Sequence, residues 1–323
     1  MEPSGESLQI LVAVKGAGDL ATGVIHRLAR AGFAVMATEL PQPTVLRRTV
    51  AFAEAIALGQ MTVEDITARY ITSIEDIPAT LTSGLVPIMI DPDGTVLKQI
   101  HPTVLVEATL SKRNTGITMA DAAIVIALGP GYEAGKDVHA VIETNRGHNL
   151  GRVYLQGYAE PNTGVPGAIG GYTAERLLRA PCAGTLYGLR QIGDTVQAGE
   201  TVAVIETDQG GDQPGQTGDP AHAEVPTHAP WHAQGVPLLW TERRAIAVSH
   251  SSGTPCACHA TVAAAISGTL RGLVRDGLVV SAGMKIGDID PRAVREHCFT
   301  ISDKSRAVAG GVLEAVMYLL RQL

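Results

Sequence analysis

The sequence predicts an α/β protein in which a parallel-sheet domain fills the first half, followed by a β-rich module and a closing helix. Three observations carry this. An apolar run at 8–14 (LQILVAV) passes through a glycine-rich turn into an amphipathic segment and a second apolar run. Further short apolar runs recur through the first half. Residues 184–205 and 268–289 repeat one another.

The run 8–14 has the continuous apolar character of a strand buried on both faces of a parallel sheet. In VIHRLARAG, Val24, Ile25, Leu28 and Ala31 share one helical face, and Gly32 closes the helix. A second strand at 33–38 ends at Glu39, completing a β-α-β unit. Further strands are expected at 86–90, 103–108, 122–128 and 138–142, and a helix at 62–72. Parallel strands with crossovers point to a Rossmann-like doubly wound domain over 1–172.

The character changes after Gly164-Val165-Pro166-Gly167. TAERLLR at 173–179 predicts a short helix. The repeats GTLYGLRQIGDTVQAGETVAVI and GTLRGLVRDGLVVSAGMKIGDI agree at ten of 22 positions, with four glycines in fixed register. Repeated glycines in register imply two copies of one β-unit with the same turns. Such a strand–turn–strand unit resembles each half of a biotinyl/lipoyl-type barrel-sandwich, with the halves at 173–206 and 260–292. Between them, 207–259 is a Gly-, Pro- and His-rich insertion, expected to be flexible. A swinging-arm carrier needs a lysine where the halves join, and 206–261 holds none. Biotin or lipoyl attachment is therefore excluded, leaving a structural or docking module. The segment 293–323 is expected to be helical, burying Ala307, Val308, Val312, Leu313, Val316, Leu319 and Leu320.

Composition limits the function. Lys+Arg 25 against Asp+Glu 32 gives a net charge of -7, the wrong sign for a non-specific nucleic-acid or anionic-membrane binder. There is no run of about 18 apolar residues, and MEPSGESLQ lacks the basic start of a signal peptide. Four cysteines are too few for a disulfide scaffold. A soluble, cytoplasmic protein is expected.

Gly16-Ala17-Gly18-Asp19-Leu20-Ala21 fits G-x-G-x-x-A between strand and helix. Gly16 permits the tight turn, Gly18 lets backbone approach a phosphate, and Ala21 allows close helix–strand packing. Glu39 sits where a carboxylate accepts ribose hydroxyls. Asp19 within the loop counts against such a site, because a carboxylate repels a pyrophosphate unless a cation intervenes. Ligands of open α/β sheets lie outside the carboxyl ends of the strands. Lys112, Arg113 and Asn114 follow one strand, Gly129 and Gly131 another, and Arg146 a third; in an acidic protein they point to a phosphate-bearing ligand. No catalytic residue is assigned, His148 being the candidate acid/base. No metal site is expected. Cys256, Cys258 and His259, near His222, His228, His232 and His250, have the ligand types for a soft metal but not the spacing of a standard zinc module.

The stretches VKGAGDLATG, TELPQPTVLRRTVAFAEAI, SKRNTGI, ALGPGYEAGKDVHAVIETNRGHNLGRV, PNTGVPG, ERLLRAP, SGTLRGL, GMKIGDIDPR and ISDKSRAVAGGVLEAV together resemble the selenium-dependent molybdenum hydroxylase system proteins of the YqeB family. The resemblance covers nearly the whole chain except 207–259. It implies an accessory role in maturing bacterial molybdenum hydroxylases of the xanthine or purine dehydrogenase type. The implied partners are a hydroxylase client and a nucleotide-bearing small molecule, with homo-oligomerisation left open. The candidate ligands are NAD and a molybdopterin dinucleotide. The alternative is an NAD-dependent oxidoreductase of the same pathway, Glu39 favouring NAD because a carboxylate repels a 2′-phosphate.

Overall fold

The computed structural model describes residues 10–164, 167–207 and 259–323. The protein is a mixed α/β molecule with one large, mainly parallel sheet, two antiparallel sheets and a long C-terminal helix. Among the described residues, no helix is long and apolar enough to cross a membrane.

The large sheet has nine strands. Its parallel core comprises β1 (Leu11–Lys15), β2 (Ala34–Glu39), β5 (Val86–Ile90), β6 (Val104–Glu107), β7 (Ile124–Leu128) and β8 (Ala140–Ile142). They run in the order β5-β2-β1-β6-β7-β8, every neighbouring pair parallel. Val12, Ala13 and Val14 are fully buried, as a continuous apolar run requires. Helix α1 (Asp19–Arg30) crosses from β1 to β2, and Gly32 follows it at φ +90.

The expected helix at 62–72 is instead an antiparallel hairpin, β3 (Gln60–Val63) and β4 (Ile66–Tyr70), joined at Glu64-Asp65. Thr62, Val63, Ile66 and Thr67 are β-branched and favour the pleated surface, while Glu64 takes a left-handed φ of 55 to turn the chain. β4 extends the sheet alongside β5, and β9 (Val153–Tyr154) closes the far edge against β8.

The expected helix at 173–179 is likewise corrected. Only Ala174–Arg176 makes one 3-10 turn, and Leu177–Arg179 is strand β10. Its backbone pairs with β17 (Lys285–Asp290), so sheet hydrogen bonding wins over local helical tendency.

The repeat is visible in the structure. Strands β11 (Gly184–Gly188), β12 (Thr195–Val196) and β13 (Thr201–Glu206) match β15 (Gly268–Leu273), β16 (Val279–Val280) and β17 in the register of the sequence repeat. The copies exchange their short strands. β12 of the first copy pairs with β15 of the second, and β16 of the second pairs with β11 of the first. With β14 (His259–Ala263), the resulting sheets, β10-β17-β15-β12 and β14-β13-β11-β16, enclose one apolar core that includes Leu186, Val196, Ile205, Leu270, Val280 and Ile289. Strand β14 carries the first described residue after the insertion. The expectations for 208–258, including Cys256 and Cys258, lie outside the described residues.

After the short helices α2 (Ala55–Leu58), α3 (Ile77–Thr82) and α4 (Thr95–Ile100), helix α5 (Asp303–Leu320) is capped by Ser302, whose hydroxyl accepts from Ser305 N–H. It returns to the large sheet and packs on α1. Val308, Val312, Ala315 and Val316 join Val24, Ile25 and Leu28 in one core. Of the residues expected on its buried side, Leu313 and Leu320 pack only partly buried against that core.

Candidate functional site

At the carboxyl edge of the parallel strands lies a cavity of about 690 Å³, within the range of small-molecule sites. Its floor is formed by the loops after β1, β6, β7 and β8, through Asp19, Leu20, Lys112, Pro130, Thr144 and Arg146. The opposite wall comes from the antiparallel sheets, through Arg176, Arg179, Arg271, Lys285 and Asp288. Ser302 and Lys304 enter from the start of α5, and Arg47 from the segment after β2. Eight cationic side chains therefore line the cavity, against three acidic ones, Asp19, Glu160 and Asp288. In a chain of net charge -7 that is a local inversion of sign.

The glycine turn has the expected geometry. Gly16 is left-handed at φ +98, and its N–H donates to Thr38 O at 2.8 Å. Gly18 precedes α1 with no side-chain cap, leaving the first-turn N–H groups to an outside acceptor. A Cβ on Gly18 would meet only Val45 Cγ1, at 3.5 Å. Ala21 is buried against the sheet. Arg47 answers the objection that Asp19 raises, its Nη1 lying 3.3 Å from Asp19 Oδ2. Arg47 also donates to the carbonyl oxygens of His297 and Thr300, at 2.9 and 3.2 Å.

Glu39 is engaged. Its carboxylate accepts Ala17 N–H and Leu40 N–H, both at 2.8 Å, and burial raises its pKa despite those bonds. Two other strand ends carry buried glutamates in the same role. Glu107 accepts Thr109 N–H at 3.0 Å, and Glu143 accepts Asn145 and Glu160 N–H at 2.7 and 2.8 Å. These carboxylates hold the loops that form the cavity floor.

The structure gathers some predicted residues and separates others. Lys112 and Arg146 line the cavity; Arg113 and Asn114 are exposed and outside its lining. Asn114 accepts Gly116 N–H at 2.8 Å, closing its own turn. Gly129 and Gly131 flank the lining residue Pro130. At Gly131 a Cβ would come 2.5 Å from Arg113 N, so this glycine lets two loops touch. Arg146 grips Asp303 through two bonds of 2.7 and 3.0 Å, and that guanidinium holds Asp303 well below the usual carboxylate range. His148 lies on an exposed turn outside the cavity lining, contrary to a role among those residues. His259 is exposed on β14.

Sequence reasoning missed Arg47, Arg176, Arg179, Arg271, Lys285 and Lys304. Each lies in a stretch that carries the family resemblance, but no local pattern marks it as a ligand group, and only the folded chain brings the six together. Elsewhere His26, Glu64 and Asp65 cluster, but Glu64 Oε1 already takes Ile301 N–H and Arg306, at 3.0 and 2.7 Å. Asp65 lies 2.8 Å from His26 and 3.5 Å from Arg30. These contacts satisfy the cluster as an ion-pair network.

No protein-family model matches the chain. It is 41% identical over 322 residues to the uncharacterized protein YqeB of Escherichia coli strain K12. The match covers all of this chain and 50% of that protein, so the chain spans about half the length of the relative it matches. Solved structures with some likeness include an aspartoacylase family protein of Mesorhizobium loti, at 10% identity over 87% of this chain and 84% of that one, TM-score 0.24. A second is the product-bound ectoine utilization protein EutE of Ruegeria pomeroyi, at 10% identity over 87% and 85%, TM-score 0.24. At that TM-score neither likeness bears on the fold.

Proposed function

We propose that this chain, a sequence relative of YqeB, binds a nucleotide-bearing ligand in the basic cavity and serves as an accessory factor in maturing selenium-dependent molybdenum hydroxylases of the xanthine or purine dehydrogenase type. The observation that carries the binding is the eight-cation lining at the carboxyl edge of a parallel sheet. The order β5-β2-β1-β6-β7-β8, with a glycine turn after the first strand, supports a Rossmann-like reading. The exchanged short strands of the repeat support a barrel-sandwich reading of the second half, as a docking module without an attachment lysine. In this reading one phosphate lies at the start of α1, where first-turn N–H groups are uncapped and Arg47 offsets Asp19.

The test is calorimetric titration of the purified chain with CTP, NAD, NADP and molybdopterin cytosine dinucleotide. Saturable binding is expected to at least one, lost in Gly18→Val without a change in melting temperature. Gly18 has an ordinary negative φ and room for a Cβ, so the variant should fold and block only the phosphate approach. Failure of all four to bind overturns the ligand reading. The maturation role is checked in cells lacking the protein: hydroxylase polypeptide should accumulate without activity. The alternative, an NAD-dependent oxidoreductase, needs Glu39 at the ribose, but its carboxylate already accepts Ala17 and Leu40 N–H and it lies outside the cavity lining.

A further inference from the structure

The wall opposite the glycine turn carries more positive charge than its own carboxylates use. Arg176 and Arg271 are each 6% exposed. Arg176 lies 3.6 Å from Asp288, and Arg271 lies 3.4 Å from Asp290. Asp290 is held more closely by Arg292, through bonds of 2.9 and 2.6 Å. The Nε–H groups of Arg176 and Arg271 are buried with no acceptor, as is that of Arg47 across the cavity. Those Nε–H groups are closed off from the cavity, but both arginines line it, and an anion there would offset guanidinium charge that burial has stripped of water.

Two lysines complete the wall. Lys285 opens β17 and Lys304 stands in the first turn of α5. Neither ammonium makes a hydrogen bond or ion pair among the described residues, and desolvation lowers the pKa of both. Lys285 is exposed, but the surface it exposes is cavity wall. Unpaired, partly desolvated cations gathered with incompletely bonded guanidiniums make a preformed anion receptor.

Resting on the reading of the cavity as a phosphate-ligand site, we infer that Arg176, Arg271, Lys285 and Lys304 form a second anion subsite, distinct from the start of α1. The ligand class is therefore a polyphosphate, a phosphate chain held between the large sheet and the antiparallel sheets. That chemistry is shared by the pyrophosphate of a dinucleotide and the terminal phosphates of a nucleoside triphosphate.

Titrations of the full chain with phosphate, pyrophosphate, CMP, CTP and NAD, in wild type, Lys285→Gln and Lys304→Gln, test this. Both side chains are unbonded, so melting temperatures should stay close to wild type; Lys→Arg at either position keeps the charge and should restore binding. Affinity should rise at least tenfold from CMP to CTP. Each glutamine variant should lose about tenfold on pyrophosphate and CTP, and less than twofold on CMP. Equal losses on CMP and CTP, or none on either, overturn the subsite while leaving the nucleotide reading standing. Pyrophosphate binding that depends on Lys285 and Lys304, with no nucleotide bound, supports the subsite and overturns the nucleotide reading. Tight NAD with weak CTP supports the subsite and assigns the dinucleotide source; the reverse supports it and assigns the triphosphate.

Discussion

Arg47 sits in an irregular stretch, yet its guanidinium joins Asp19, the carbonyl oxygen of His297 and that of Thr300. Three partners from two distant parts of the chain leave no local signature, so nothing in TVLRRTV distinguishes Arg47 from Arg48. By contrast Gly16 was legible, because a tight strand-to-helix turn needs a residue free to take positive φ. Arg47→Lys keeps the charge but cannot fork to three acceptors. It should cost about 1–3 kcal/mol of unfolding free energy, read from denaturant midpoints. Arg146 lines the cavity and also clasps Asp303, a pairing set by the return of α5 to the sheet. Because the folded-state pKa of Asp303 is depressed, this pair stabilises fully above the ordinary carboxylate value of 3.8 and less as pH falls below it. The melting-temperature deficit of Arg146→Ala should therefore be constant near neutrality and shrink below about pH 4. A deficit that does not change with pH would mean that Arg146 stabilises by packing alone.

Among elements, those with a clear period were readable and those decided by pairing were not. The six parallel strands are apolar runs that need both faces covered, and all six were placed within a few residues. The stretch 62–72 carries apolar residues at spacings that suit a helix as well as a strand; its partner β5 decides for strand. Leu177–Arg179 likewise became a strand because β17 offered its edge. The seat of α5 against β8 and the loop before β9 turns on small residues that apolar patterning overlooks. A Cβ on Gly311 would overlap the carbonyl oxygen of Gly151, whereas Gly310 has only Arg27 Nη1 nearby, at 3.9 Å. Gly311→Ala should therefore destabilise by about 1–3 kcal/mol, through overpacking. Gly310→Ala, one residue away, should stabilise by about 0.5–1 kcal/mol, since alanine loses less backbone freedom in a helix. Thermal melts of the two variants check the pair, and a stabilised Gly311→Ala would show that helix propensity outweighs packing here.

At the scale of the molecule, the internal repeat announced two matching β-units but not that they exchange short strands, since exchange depends on non-local pairing. Nor did it show that the antiparallel sheets dock on the large one. Docking is carried by the strap of residues 46–54. Leu273 N–H donates to Leu46 O at 2.9 Å, Arg48 Nε to Leu273 O at 2.7 Å, and Thr49 Oγ1 to Cys298 O at 2.5 Å. Glu54, 6% exposed, pairs with Arg48 at 3.5 Å and with Arg275. Wild type should unfold in one calorimetric transition, because each half covers the other through this strap. In Glu54→Ala, Arg48 and Arg275 lose their carboxylate at a partly buried seam, a cost of about 1–3 kcal/mol concentrated between the halves rather than within either. The transition should therefore separate into two. Both halves line the basic cavity, so a ligand there binds only the docked arrangement. At about one hundred times its Kd such a ligand adds roughly 2.7 kcal/mol to docking, enough to merge the two transitions again. Pyrophosphate is the probe. A single transition that only moves to lower temperature would show that the seam holds without Glu54, and two transitions unmoved by bound pyrophosphate would show that its site lies within one half.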